Sequence, residues 1–386
     1  MKTLRLAAIG GLVLSMMGAC SSDDTSPAKG GEAGATGEAG ATGEAGTGGA
    51  ATGTAGAADA AGAAGAAGAA GAASASQSAQ VARGQYIVLH VAGCPDCHTP
   101  RDAMGAPNPS MMLAGNAAFA DLNPADDTKG LVPAPNLTPD MDTGLGKWTD
   151  TQIKNAFQNG VDADDKPLFS IMPYYVFHNM TDADADAVVA YLRSLPPVIH
   201  EIPERQDLGF PVTQAKPVPA ALIPDTTLAL TDPDYLHAQN GRYLAGSIGA
   251  CMECHSQHDS MGAVPLMTDK LFQGNEPFTR AQLGLPPVFP ATIYSSNLTP
   301  ASNGLEGWTP ADVVQALHKG LTKDNKPLCP PMPSGPMGAL AGLTDDDATD
   351  IGIYLTSLEP KDNGVIPLCV APSGGMGAAG AGGTGN

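Results

Sequence analysis

Apolar and polar positions divide this chain of 386 residues into three regimes. Behind the cations Lys2 and Arg5, the stretch from Leu6 to Met17 is almost wholly apolar. A run this short cannot cross a bilayer as a mature helix, so residues 1–19 read as a leader. From Ser22 to about Ser76 the chain is nearly all Gly, Ala, Thr, Glu and Ser, with glycine at every third position from Gly31 to Gly46. That register is collagen-like, but no proline lies between Pro27 and Pro95, and a triple helix depends on imino acids. The expectation is a disordered tether over residues 20–76, spanning on the order of 40 Å. Only residues 77–360 carry the patterning of folded elements.

Within that third regime the local signals are helical. Thr149 with Gln152 reads as a capping box, and Thr309 followed by Pro310 as an N-cap with proline in the first turn. Gly160 and Gly320 stand where a helix takes a left-handed C-terminal residue. Thr181 with Asp184, and Thr344 with Asp347, open two later helices that Pro196 and Pro360 stop. Strand-period alternation is scarce, so the predicted fold is all-α.

These signals occur twice because the sequence repeats. Gly84 and Gly241 each lie ten residues before a cysteine pair, and Tyr86 and Tyr243 eight before it. Asn136-Leu137-Thr138-Pro139 matches Asn297-Leu298-Thr299-Pro300, and the only tryptophans, Trp148 and Trp308, follow. Lys166-Pro167-Leu168 matches Lys326-Pro327-Leu328, and each copy closes with Tyr-Leu-x-Ser-Leu at Tyr191 and Tyr354. The predicted modules span residues 77–198 and 231–360. Between them residues 199–230 form a proline-rich, extended and fairly stiff connector, and residues 361–386 a mostly disordered tail. With 5% aromatic residues, a module of about 120 residues is short of core material, which a large flat apolar cofactor would supply.

The cysteine pairs name that cofactor. Cys94-Pro95-Asp96-Cys97-His98 and Cys251-Met252-Glu253-Cys254-His255 have the Cys-x-x-Cys-His spacing of covalent haem attachment. Two cysteines one helical turn apart reach the two vinyl groups, and the adjacent histidine points at iron. A redox dithiol would leave the histidine incidental twice, and two zinc half-sites 157 residues apart exceed the usual spacing. The expectation is two covalent haem c groups, with His98 and His255 as axial ligands.

The repeat also selects the sixth ligands from fifteen methionines. Met172 and Met332 each lie 24 residues after a tryptophan and precede a proline, and no other methionine pair coincides. A matched second histidine is absent: His178 falls opposite Gly338, and His318 opposite Gln158. The bland alternative is that both methionines only pack near the cofactor.

Composition narrows the partners. Without Lys2 and Arg5, 39 acids face 17 bases. Such a surface argues against nucleic acid and anionic membrane faces and would attract a basic partner, although acidity also simply aids solubility. No Ser-His-acid pattern, phosphate loop or dinucleotide fingerprint is present, so the reading is an electron carrier rather than an enzyme. A dihaem peroxidase, which needs an open sixth position, and a surface protein that merely retains haem are the rivals.

Two resemblances add to this. Met17-Gly18-Ala19-Cys20 resembles a bacterial lipoprotein signal, which implies export to the periplasm or cell envelope and acylation of Cys20, the sole membrane link. Ser21 after that cysteine leans towards the outer membrane. Both modules resemble class I cytochrome c domains, in particular those of the multihaem cytochrome subunit of quinoprotein alcohol dehydrogenases. The motifs that carry the likeness are the attachment motif, Asn-Leu-Thr-Pro, tryptophan, Met-Pro and Tyr-Leu-x-Ser-Leu, over about 280 of 386 residues. It implies that Trp148 and Trp308 lie near haem propionates, that the Asn-Leu-Thr-Pro loops pack at the haem edge, and that the partners are redox proteins such as a quinoprotein dehydrogenase or other cytochromes. Those subunits usually carry three such domains, and this chain has two.

Four cysteines for haem and one for lipid leave Cys329 and Cys369 of seven. In an oxidising compartment a disulfide is expected; closing a 40-residue loop contributes about 4 kcal/mol in the chain-entropy model and would stiffen the approach to Met332.

Overall fold

A computed structural model describes residues 76–364, apart from 103–105, 124, 125, 127, 260–262, 281–288 and 337. The leader, Cys20, the tether to residue 75 and Cys369 lie outside the described residues.

In the first module α1 (residues 76–86) runs through a π-turn, Ile87–Val91, into the short α2 (Cys94–His98). A hairpin of β1 (Asn116–Asp121) and β2 (Leu131–Ala134) follows, then α3 (Asp150–Asn159), α4 (Tyr174–Phe177) and α5 (Asp182–Ser194). The second module repeats the order as α6 (Tyr235–Tyr243), a π-turn at Leu244–Ile248, α7 (Cys251–Cys254), β3 (Pro277–Thr279), β4 (Thr292–Tyr294), α8 (Pro310–Lys319) and α9 (Asp345–Thr356). The expectation of an all-α fold therefore needs correcting, because each module carries an antiparallel two-stranded hairpin. Strands of three to six residues are too short to display alternation, and here register comes from the loops around them.

The helix-end chemistry follows the sequence. Thr149 and Gln152 form a full capping box on α3, and Thr309 and Asp312 form one on α8. Gly160 (φ 69°) and Gly320 (φ 66°) close the same helices in the left-handed conformation. Thr181 and Thr344 cap α5 and α9 by accepting the N–H of Asp184 and Asp347.

Each module is built on a crossing of its first and last helices. A Cβ on Gly84 would stand 1.8 Å from the Ala187 carbonyl oxygen, and one on Gly241 would stand 2.0 Å from that of Asp350. Only glycine lets the backbones come that close, which accounts for its recurrence ten residues ahead of each cysteine pair.

The two modules share a single core. One buried cluster joins Ile87, Val88, Tyr174 and Tyr175 of the first module to Leu244, Ile248, Phe272 and Tyr354 of the second. Around it runs a reciprocal clasp. Tyr86 accepts the Thr344 N–H (3.2 Å) and donates to Asp347 (2.6 Å); Tyr243 accepts the Thr181 N–H (3.1 Å) and donates to Asp184 (2.8 Å). In a capping box the third helical residue reaches back to the N-cap N–H. Here a tyrosine hydroxyl from the other module relays that link, once in each direction, so the reciprocal half of each box forms only when the modules dock.

Asp184 carries a further load. Burial would raise its pKa, but the two-pronged Arg83 contact (2.8 and 2.9 Å) and the Tyr243 hydroxyl outweigh this and hold it below the ordinary carboxylate range. Its folded value being the lower one, its contribution is complete above the unfolded carboxylate pKa near 4 and is lost as pH falls through the depressed value. Tyr86→Phe and Tyr243→Phe should each cost about 1–3 kcal/mol in urea unfolding. Because Asp184 contributes nothing once it is protonated in both states, the Tyr243→Phe loss should shrink in acid below that value. A loss that stays unchanged as pH is lowered from 7 through the depressed value would contradict the relay.

The connector is not a free spacer. Apart from a 3-10 turn at Ala220–Leu222 it has no helix or strand, and it is bonded to both modules. Gln206 and Asp207 hold the first hairpin through Leu131 and Gly130, and the Ala215 N–H donates to the Tyr174 hydroxyl at 2.8 Å. Farther on, Arg242 donates to the carbonyls of Ala220, Ile223 and Pro224.

Candidate haem-attachment sites

Both motif histidines are buried and held alike. His98 is 7% exposed and His255 8%. Nδ1 of His98 lies 2.8 Å from the Pro135 carbonyl oxygen, and Nδ1 of His255 lies 2.7 Å from that of Ser296. A carbonyl only accepts, so Nδ1 carries the proton. Burial lowers both pKa values against the pull of these carbonyls, which keeps the rings neutral and turns the Nε2 lone pair outwards. Metal-bound histidines are held in this way, with the nitrogen away from the metal donating to a fixed acceptor. The hairpins exist for it: β2 and β4 deliver the accepting carbonyls just beyond their ends.

Around each histidine the loop is fastened at equivalent points. The carbonyls of His98 and His255 accept from Gly115 and Gly274. Thr99 and Ser256 accept the N–H of Leu113 and Phe272, and these two residues sit in the left-handed region at φ 62° and 61°. That conformation is costly for a residue other than glycine, and the side-chain hydroxyl together with complete burial holds them there.

The four motif cysteines are half-buried free thiols. Burial pushes Cys94, Cys97 and Cys254 up to about 12 and Cys251 up to about 11, so they stay protonated.

Asn136 and Asn297 tie each Asn-Leu-Thr-Pro loop to the chain beyond the last helix. Their side-chain oxygens accept from Thr138 and Thr299, while their amides donate to the carbonyls of Val198 (2.8 Å) and Lys361 (2.7 Å). Leu137, Trp148, Leu168 and Met172 pack against the same core as Cys94, and Leu298, Trp308 and Met332 pack with Cys251. Met172 and Met332 occupy the same turn: the carbonyl of each accepts, at 2.8 Å, from the residue beyond its proline. These residues fit a haem chemically: paired thiols for the vinyl groups, a neutral imidazole with its tautomer fixed, and a part-buried thioether on a pinned turn.

Sequence comparison supports the first module directly, because residues 81–196 match the cytochrome c family model. The first module is a cytochrome c domain. The cytochrome's wider similarities run through both modules. The chain is 30% identical over 282 residues to a nicotinate dehydrogenase subunit of Pseudomonas putida, covering 72% of this chain and 21% of that protein. It is 26% identical over 286 residues to a dihaem c-type cytochrome of Cereibacter sphaeroides, covering 72% of this chain and 85% of that one. Over 133 residues it is 34% identical to the cytochrome c subunit of the quinone alcohol dehydrogenase of Gluconobacter oxydans, covering 34% of this chain and 26% of that subunit. The cytochrome thus spans most of the dihaem relative but about a fifth to a quarter of the two dehydrogenase subunits.

Cys329 is disulfide-bonded, and Cys369 lies outside the described residues. What the sequence did not yield is the clasp of Tyr86 and Tyr243. Their spacing marks them in both copies, but equal spacing does not tell whether a residue serves its own copy or the other. Tyr175 and His258 also escaped notice, having no counterpart of like kind in the repeat.

Proposed function

We propose that this chain is a dihaem electron carrier of the cell envelope, taking single electrons from a dehydrogenase and passing them on. The observation that carries the reading is the duplicated Cys-x-x-Cys-His whose histidines are buried, neutral and pinned at Nδ1 by matching carbonyls. Cys94 and Cys97, and Cys251 and Cys254, would hold the haems covalently, and His98 with Met172, and His255 with Met332, would hold their irons. Covalent haem supplies reversible one-electron chemistry, and methionine ligation keeps its potential high.

The protein's own share is positioning. The Pro135 and Ser296 carbonyls hold the buried histidines in one orientation, and the backbone turns at Met172 and Met332 pin the thioethers that would be the second ligands. The shared core and tyrosine clasp hold the two sites at a constant separation. The dehydrogenase subunits among the relatives favour a dehydrogenase as donor. Among the described residues no helix is long and apolar enough to cross a membrane, and acylation of Cys20 would provide the attachment.

The test is a visible and near-infrared spectrum of oxidised holoprotein. The weak red charge-transfer band of methionine-ligated ferric haem should be present, and Met172→Ala and Met332→Ala should each remove about half of it. A band unchanged in either variant rejects that methionine as a ligand. Rapid turnover of hydrogen peroxide by wild type would instead favour the peroxidase reading.

A further inference from the structure

The second attachment motif is bordered by a charged chain that the first lacks. Glu253, inside the motif, accepts from the hydroxyl of the fully buried Tyr175 through Oε2, and its Oε1 lies 3.0 Å from Nε2 of His258. On its other side His258 meets Glu276, with Nδ1 3.1 Å from Oε1 and its backbone N–H donating to Oε2 at 2.9 Å. The side chains of Glu253 and Glu276 are only 16% and 17% exposed. Burial lowers the His258 pKa, but the two carboxylates outweigh it and raise it to about 10, so the ring is charged at neutral pH. Two carboxyl groups around one imidazole give this cluster one acidic group in excess.

The equivalent places in the first module are filled differently. Asp96 stands for Glu253, Arg101 for His258 and Ala117 for Glu276. Arg101 lies 3.7 Å from Asp96, the two side chains are 37% and 44% exposed, and the pair is neutral. Solvent screens it further. The first module's buried carboxylates are compensated: Asp184 by Arg83, and Asp140 by the N–H groups of Asp142 and Thr143, the Thr143 hydroxyl and the charge of Lys147. The counterpart of Asp140 in the second module is Ala301.

A ferric haem carries one more positive charge than a ferrous one, so buried net negative charge beside it favours oxidation. We propose that Glu253 and Glu276 make the second module's haem the lower-potential centre, so that electrons enter the chain at the second module and leave from the first. Tyr175, reaching from the helix after Met172 into the second motif, is the positioning residue: it orients Glu253 and seals it from water. A unit charge about 10 Å from a one-electron centre, at an effective dielectric constant of about 20, shifts the oxidised-to-reduced ratio roughly tenfold, or 59 mV. The proposal rests on both motifs carrying haem.

The experiment is an equilibrium redox titration of the holoprotein, followed in the visible region at pH 6. Met172→His and Met332→His assign the two waves, each lowering the wave of its own module. The wave that Met332→His moves should be the lower of the two in wild type. Glu276→Gln, outside the attachment motif, should raise that wave about tenfold in ratio and leave the other in place. Glu253→Gln should act alike, and Asp96→Asn should shift either wave much less. If Met332→His moves the upper wave, or Glu276→Gln moves neither, the proposal fails while the dihaem reading stands. A protein without covalent haem gives no waves and overturns the functional reading itself.

Discussion

Replacing Cys94 and Cys97 together by alanine is expected to leave one covalent haem per chain and to weaken both modules, not the first alone. Burying a porphyrin removes several hundred Å² of apolar surface from water, on the order of 10 kcal/mol at about 25 cal/mol per Å². That rivals the whole stability of an ordinary domain. The deficit cannot stay local, since the buried cluster runs unbroken through both modules and the start of each terminal helix is bonded to a tyrosine of the other. Thermal unfolding followed at the remaining haem should shift down by about 10 °C or more, at about 2–4 °C per kcal/mol with a deficit partly offset by collapse. A remaining haem that melts as in wild type would show the modules to be independent.

Alanine at Gly84 or Gly241 is the second large effect. In most helices this change stabilises by up to about 1 kcal/mol. Here the new methyl would lie 1.8 or 2.0 Å from a backbone carbonyl oxygen, with the Tyr191 or Tyr354 Cβ within 3 Å. Neither obstacle is the end of a flexible side chain, so the helices must part and the core above them opens. A loss of about 3 kcal/mol or more is expected from such overpacking. Equilibrium unfolding in urea measures it; a neutral or stabilised Gly84→Ala would disprove the close crossing.

The sequence made the repeat, the helix ends, the glycines and the attachment motifs legible because each rests on local chemistry at fixed spacing. Thr149, Gly160, Thr309 and Gly320 do in the fold what their neighbours along the chain require. The hairpins were not legible, since β3 and β4 have three residues each and owe their register to Gly274 bonding back to His255. The left-handed Leu113 and Phe272 carry no sign in sequence either, because a tertiary bond from Thr99 or Ser256 offsets their strain. Docking of the modules was hidden for another reason: Tyr86 and Tyr243 act across the pseudo-symmetric interface, and a repeat shows which positions correspond without showing which copies touch.

The central claim is that two haems are bonded to this chain through Cys94/Cys97 and Cys251/Cys254. Its most direct test is the intact mass of the purified protein from a host able to mature c-type cytochromes, read beside a pyridine haemochrome assay. The account predicts a mass increased by two haems and two haemochromes per chain. A colourless protein with the mass of the bare polypeptide would contradict it.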